Sequence, residues 1–267
     1  MIYFSGPCKN EAGYKSLTGQ SCEDAISLTG AYDFYSYAEL CASSEKCVLI
    51  AADDFPRVTI TIDYDNMRLQ RTINYSAKTI RNDDFILTQH KTGKGTCIFV
   101  NQVLTADRQG FTLLSVSATG GTEALTFFNG HITWAKVGYF LVGHSLEKYR
   151  NRLAELGVEY MPIHLFIKAK NIPCKGGGEI ACGYTYWTTP GNGFSWLGEF
   201  NTRKGSDNRK ILFEYVKPKI EELEKKLEDR RRDFERAKGP EKEKMEKELK
   251  DRETSIRYLA ANVDLLY

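Results

Sequence analysis

Residues 57–76, RVTITIDYDNMRLQRTINYS, alternate apolar and polar side chains on both sides of Asp65-Asn66. That period of two, interrupted by a turn pair, predicts two antiparallel strands joined in a hairpin and sets an antiparallel sheet as the frame for the rest. Residues 83–90, DDFILTQH, read as a further strand that ends directly at Thr92-Gly93-Lys94-Gly95. Beyond the glycines, Phe99, Val100, Val103 and Leu104 fall on one helical face, and Gly110 is a suitable left-handed cap. A strand, FTLLSVSA, follows, then a Gly-Gly break and a helical stretch within EALTFFNGHITWAKVGYF. Upstream, residues 23–28 and 31–41 have short helical patterns and residues 47–52 are strand-like. Meander, strand, glycine loop, helix, strand and helix make an α+β fold, with a mixed, mainly antiparallel sheet flanked by helices.

The 267 residues allow one large domain, or one domain with an appendage. Residues 57–216 are expected to form the core, residues 1–56 an N-terminal part packed on it, and residues 217–267 a separate helical element. The formal net charge of +2 gives no global field that would point to nucleic acid. Seven scattered cysteines without CxxC spacing disfavour a disulfide framework and a zinc ribbon, and no metal is expected. With no signal-like start and no apolar run long enough for a bilayer, the expected location is the cytoplasm. Residues 172–208, rich in Gly, Tyr, Trp and Phe, read as an aromatic-rich loop region packed on the core, the alternative being an exposed binding surface.

From Pro218 the chain is highly charged, and Met245, Leu249, Arg252, Ile256, Leu259, Val263 and Leu266 repeat by fours and threes. Gly239-Pro240 separates this seam from a similar, less regular one, which predicts an antiparallel helical hairpin. An apolar edge left over on such a hairpin would serve self-association or a protein partner.

Glycines before a helix suit two uses. They allow a tight turn, or they bring backbone amides close to a phosphate at the positive end of a helix. The two common phosphate loops do not fit: Gly95 stands where a P-loop has Ser or Thr, and Ile98 where the dinucleotide fingerprint has its third glycine.

His90-Lys91-Thr92-Gly93-Lys94-Gly95 resembles the main motif of the GNAT (N-acetyltransferase) superfamily, with His90 in place of Gln or Arg. Asn129, Gly130, Thr133, Trp134 and Gly138 are similar to a second stretch, found in phage and prophage GNAT-like proteins. Trp196, Phe200, Gly205, Ser206 and Tyr215 are similar to a third, in which Asn201 and Thr202 replace Asp-Leu. The resemblance covers roughly residues 58–215. It implies acetyl-CoA or another acyl-CoA as the donor. The pyrophosphate would lie on the loop of Thr92, Gly93, Lys94, Gly95 and Thr96, and the pantetheine arm along the backbone of Ile86, Leu87 and Thr88. An amine would attack the thioester, which needs a base for the amine proton and an acid for the thiolate.

Such enzymes often place a Tyr four residues before the Gly-Phe pair as the acid; here that residue is Trp134, which is no acid near pH 7. His131 either exchanges this proton or holds the loop as a partly buried histidine. Asp84, with Asp83, is the candidate base. Cys97 and Tyr139 read as packing, and Glu179 and Glu199 have no marked spacing. The expected function is acyl-CoA-dependent N-acyl transfer to an unidentified amine in a bacterial or phage-infected cell. The alternative is a non-catalytic GNAT-like module of a phage assembly or an inhibitor of a host protein.

Overall fold

The computed structural model describes residues 2–31, 48–64, 67–87, 92–120 and 130–267. Strand β1 (Ile2–Ser5) is followed by two short helices, α1 (Glu11–Thr18) and α2 (Cys22–Ser27). Each helix is started by a side chain that satisfies an orphan amide: Gly13 N donates to Asn10 and Asp24 N to Ser21. The expected helix over residues 31–41 lies outside the described residues, as do Cys41 and Cys47.

Strands β2 (Val48–Asp54), β3 (Arg57–Tyr64), β4 (Met67–Asn74) and β5 (Thr79–Leu87) form an antiparallel meander. The alternation works as the sequence predicts: Val58, Ile60 and Ile62 of β3 and Met67, Leu69 and Ile73 of β4 all point into the core. The turn at Asp65-Asn66 lies outside the described residues. Helix α3 (Lys94–Arg108) crosses over to β6 (Leu113–Ala118), which pairs parallel with β5. After α4 (Gly130–Lys136) and the two-residue strand β7 (Phe140–Leu141) come helices α5 (Gly143–Glu155) and α6 (Ile163–Lys168). Strands β8 (Lys170–Pro173) and β9 (Glu179–Cys182) pair with each other in a separate ribbon, and α7 (Gly183–Thr188) precedes β10 (Trp196–Asn201).

The main sheet has the order β1-β2-β3-β4-β5-β6-β10-β7. The expectation of a loop region over residues 172–208 is therefore corrected, because this stretch contains a ribbon, a helix and a strand that enters the sheet between β6 and β7. Trp196, Gly198 and Phe200 alternate inward along β10. A Cβ on Gly198 would fall within the Trp196 ring, so glycine is the residue that lets this tryptophan lie flat along its own strand.

The C-terminal elements are α8 (Asp207–Arg236), α9 (Pro240–Asn262) and a 3₁₀ turn (Val263–Leu266). Proline at the first position of α9 after Gly239 gives the predicted hairpin. The boundary drawn at 216/217 falls inside α8, which starts beside β10 and runs on through Pro218. Met245, Leu249, Leu259, Val263 and Leu266 of the seam are buried within the chain. The charged member of the seam, Arg252, is also buried and pairs with Glu248, which Arg230 contacts from α8 at 2.8 Å. The architecture is thus α+β, a mixed and mainly antiparallel sheet flanked by helices, with a C-terminal helical pair. Among the described residues no helix is long and apolar enough to cross a membrane.

Candidate functional site

The chemistry-bearing residues gather where the sheet opens. Strands β5 and β6 pair from Thr79↔Leu113 to Asn82↔Val116 and no further, although β5 continues to Leu87 and β6 to Ala118. The register of β5 on β4 shifts at the same level: Arg71 faces Asn82 and Gln70 faces Asp84, leaving Asp83 as a bulge. A bulge bends its strand and raises its twist, so β5 leaves β6 just where pairing stops.

The glycine loop stands at the end of β5. Gly93 is the N-cap of α3 with φ +88°, a conformation that costs an L-residue roughly 1–2 kcal/mol. The positive φ belongs to Gly93 and not to Gly95, which is needed for a different reason. A Cβ on Gly95 would lie 3.0 Å from Leu87 Cδ1 and 3.6 Å from Phe85 Cζ, so its bareness lets α3 press onto β5. The amides of Gly95 and Thr96 are in the first turn, where no intrahelical acceptor exists, and both residues keep part of their surface exposed. Thr92 and Lys94 are buried, with Lys94 N donating to Thr92 Oγ1 at 3.5 Å. Ile86 is exposed and Leu87 half-buried, whereas Thr88 and His90 lie outside the described residues.

The C-terminal helices reach this loop, a contact with no local signal in the sequence. A Cβ on Gly93 would meet Leu223 Cδ1 at 2.6 Å and Ser255 Cβ at 3.2 Å, so α8 and α9 close one side of the loop. Cys97 donates its thiol hydrogen to Ser255 O at 3.4 Å, and burial pushes that thiol up to about 12, which removes it as a nucleophile. Ser255 Oγ is itself buried without a hydrogen-bond partner.

His131 is the second residue of α4 and lies past the end of β6, with its amide donating to Thr119 O at 3.1 Å. Its ring covers Gly120, where a Cβ would sit 2.7 Å from His131 Cγ. Its carbonyl accepts from Trp196 Nε1 at 3.0 Å. The side chain is 1% exposed and neither ring nitrogen has a partner, while burial holds its pKa below the ordinary imidazole value. The Thr119 backbone opposes that shift in part, and the ring is mainly neutral at pH 7.

Asp84 lies on β5 beside Arg68, at 3.7 Å, and is half-buried. Asp83 is held by Thr72 Oγ1 at 2.6 Å and by Arg81. No hydrogen bond joins either carboxylate to His131. Between the two sides stands an aromatic group: Trp134 lies 5.9 Å from Phe85, 5.6 Å from Phe99 and 5.2 Å from Tyr139. Tyr139 donates nothing to solvent; it accepts from Asn82 at 2.8 Å, and burial raises its pKa, so it packs as expected.

One residue of this region escaped the sequence reading. Arg71 of β4 is 1% exposed, with its guanidinium 5.3 Å from the Phe85 ring centroid. Its place in the alternation, in phase with Met67, Leu69 and Ile73, was the available signal that it points inward.

Among the described residues no group of three or more His, Cys, Asp or Glu side chains could hold a metal ion. The hollow lined by His144, Glu147, Lys148, Asn151, Arg152 and Glu155 is formed by α5 alone and is a feature of that helix's outer face. No protein-family model, curated protein or solved structure matches this chain.

Proposed function

We propose that the chain is an acyl-CoA-dependent N-acyltransferase of the GNAT type, acting on an amine in the cytoplasm of a bacterial or phage-infected cell. The observation that carries this reading is the pair of parallel strands that part after Asn82 and Val116, with a glycine-capped helix starting at the end of the strand that diverges. Past Asn82 the backbone of β5 is freed from β6, which leaves the Ile86 and Leu87 edge for amide pairing with a pantetheine arm. The amides of Gly95 and Thr96 suit the pyrophosphate.

In this reading the amine nitrogen attacks the thioester carbonyl; the N–C bond forms, the C–S bond breaks, and coenzyme A leaves as thiolate. His131, neutral and with both ring nitrogens unbonded, takes the amine proton and returns it to the thiolate sulfur. Asp84, half-buried beside Arg68, serves the approach of a cationic amine and is the second candidate base.

Thermal melting of the full chain tests donor binding. Ligand at a hundredfold its dissociation constant should stabilise the fold by about 2.7 kcal/mol. The rise in melting temperature should be larger with acetyl-CoA than with dephosphorylated pantetheine. Gly95→Val should abolish it, because the branched side chain drives against Leu87 and Phe85. Calorimetry showing no binding of any acyl-CoA at millimolar concentration would overturn the reading.

One observation favours a second reading. Leu223 and Ser255 fill the side of Gly93 that a Cβ would occupy, so the glycine is explained equally by helix packing. A GNAT-like module without catalysis, for assembly or for inhibition of a host protein, would then use the helical pair for self-association or for a protein partner. Light scattering of the full chain that finds a dimer, together with absent donor binding, would favour it.

A further inference from the structure

Arg71 is a buried cation whose direct hydrogen-bond acceptors are carbonyls, with Asp83 and Asp84 acting on its charge without touching it among the described residues. Nη1 uses its hydrogens on two neutral carbonyls, Gln70 O at 3.0 Å and Asp84 O at 2.5 Å. Nε is wholly buried and has no partner, and neither of the two hydrogen bonds involves Nη2. The two carboxylates that act on its charge make their direct contacts elsewhere. Asp83 is taken by Thr72 and Arg81, and Asp84 by Arg68. Asn82, opposite Arg71 in register, spends its carboxamide on Gln102 and Tyr139, and Phe85 covers the guanidinium with a ring.

Buried charged groups in proteins are stabilised when their N–H groups are hydrogen-bonded at contact distance, and Nε lacks this. The free edge of this guanidinium also has a shape. Nε–H and Nη2–H lie parallel on one side of the group, the fork that a carboxylate meets with both of its oxygens. The fork is held beneath β5 at the level where β5 parts from β6, next to the backbone of Asp84 and the ring of Phe85. In the acyl-transfer reading, on which this inference rests, that is the acyl end of the donor and not its nucleotide end, which belongs to the loop at Gly95.

We infer that Arg71 receives a terminal carboxylate on the transferred acyl group, so that the donor is the coenzyme A thioester of a short dicarboxylic acid. An acetyl group would leave Nε as it stands, buried and without a hydrogen-bond partner. A succinyl-sized chain supplies an acceptor for Nε–H and, with its second oxygen, for Nη2–H. Burial of the guanidinium, which lowers its pKa to about 10, is then relieved by the ligand.

The test is calorimetric titration of the full chain with acetyl-CoA and succinyl-CoA in the absence of an acceptor amine. The succinyl ester should bind roughly 10–100-fold tighter, the factor that a charge-assisted bidentate contact supplies. Arg71→Met should bring the succinyl ester down to the affinity of the acetyl ester. Arg71→Lys, which keeps the charge and loses the fork, should retain only part of the preference. The comparison of the two esters on the unmodified chain is decisive even where a variant fails to fold. Equal binding of both esters overturns the carboxylate site and leaves acyl transfer standing. Binding of neither ester overturns acyl transfer and the carboxylate site together.

Discussion

Replacing Arg209 by Met measures how firmly the C-terminal helices are held to the sheet. The guanidinium is 2% exposed and donates to four acceptors. Nε reaches Leu266 O at 3.2 Å, Nη1 reaches Thr202 O at 3.0 Å and Asp107 Oδ2 at 2.6 Å, and Nη2 reaches Leu265 O. One side chain at the start of α8 thereby ties together the last turn of α3, the residue after β10 and the closing 3₁₀ turn. Met keeps the apolar stem and removes all the donors. Removing one partner of a buried ion pair costs about 3–5 kcal/mol. Asp107 keeps 35% of its side chain exposed and can recover water, which places the expected loss near the low end, about 3 kcal/mol. That corresponds to a fall in melting temperature on the order of 6–10 °C. Equilibrium urea unfolding should show a lower midpoint at unchanged slope. A double-mutant cycle with Asp107→Asn should return a coupling of about 1–2 kcal/mol. A stability within about 0.5 kcal/mol of the unmodified chain would refute the clasp.

Burial holds His131 and His164 below the ordinary imidazole value, and Lys168 adds to the effect on His164. Below about pH 6.5 the unfolded chain therefore binds protons that the folded chain refuses. Stability should be flat above that pH and fall as the pH drops through it, by up to about 1.4 kcal/mol per pH unit for each histidine; His131→Gln should remove its share of the slope in urea titrations between pH 6.5 and 5.5. If His131 moves the proton, the same variant should lower turnover roughly 10²–10⁴-fold in an assay supplied with the right amine, with donor affinity little changed; unchanged turnover returns it to a structural role. Gly198→Ala should displace the Trp196 ring and cost about 1–3 kcal/mol, seen as a lower melting point and altered tryptophan fluorescence. Tyr139→Phe leaves one buried N–H of Asn82 unbonded and should cost about 1–3 kcal/mol in the same unfolding assay, whereas a neutral outcome would mean that the amide re-pairs.

Strands β3 and β4 are legible because one face is buried and Val58, Ile60 and Ile62 alternate with polar residues. Helix α3 shows its period through Phe99, Val100 and Val103, but it is buried nearly all round, and its buried Asn101, Gln102 and Thr105 have no signal in that period. Strand β10 has the same alternation, but Gly198 occupies its central inward position and empties the pattern there. Trp196 and Phe200 on either side of it therefore look like loop composition. At the glycine loop, letters cannot say which glycine bends and which one makes room. The structure divides those tasks between Gly93 and Gly95. The hairpin seam was visible, but the partner of that seam was not. The contact of Cys97 with Ser255 spans 158 residues, beyond the reach of any local period.

The place of β10 in the sheet governs the order in which the molecule can be built on the ribosome. Phe140 and Leu141 have β10 as their sheet partner, and β10 is made only after α5, α6, the β8–β9 ribbon and α7 have emerged. At roughly 5–20 residues per second, that short strand waits several seconds for its neighbour, and β6 presents an open edge beside Leu114 and Val116 for as long. Closure comes later still, when Leu265 and Leu266 reach Arg209. A nascent chain stalled before Trp196 is therefore a four-strand meander with β6 exposed at its side, the intermediate most in need of a chaperone during synthesis.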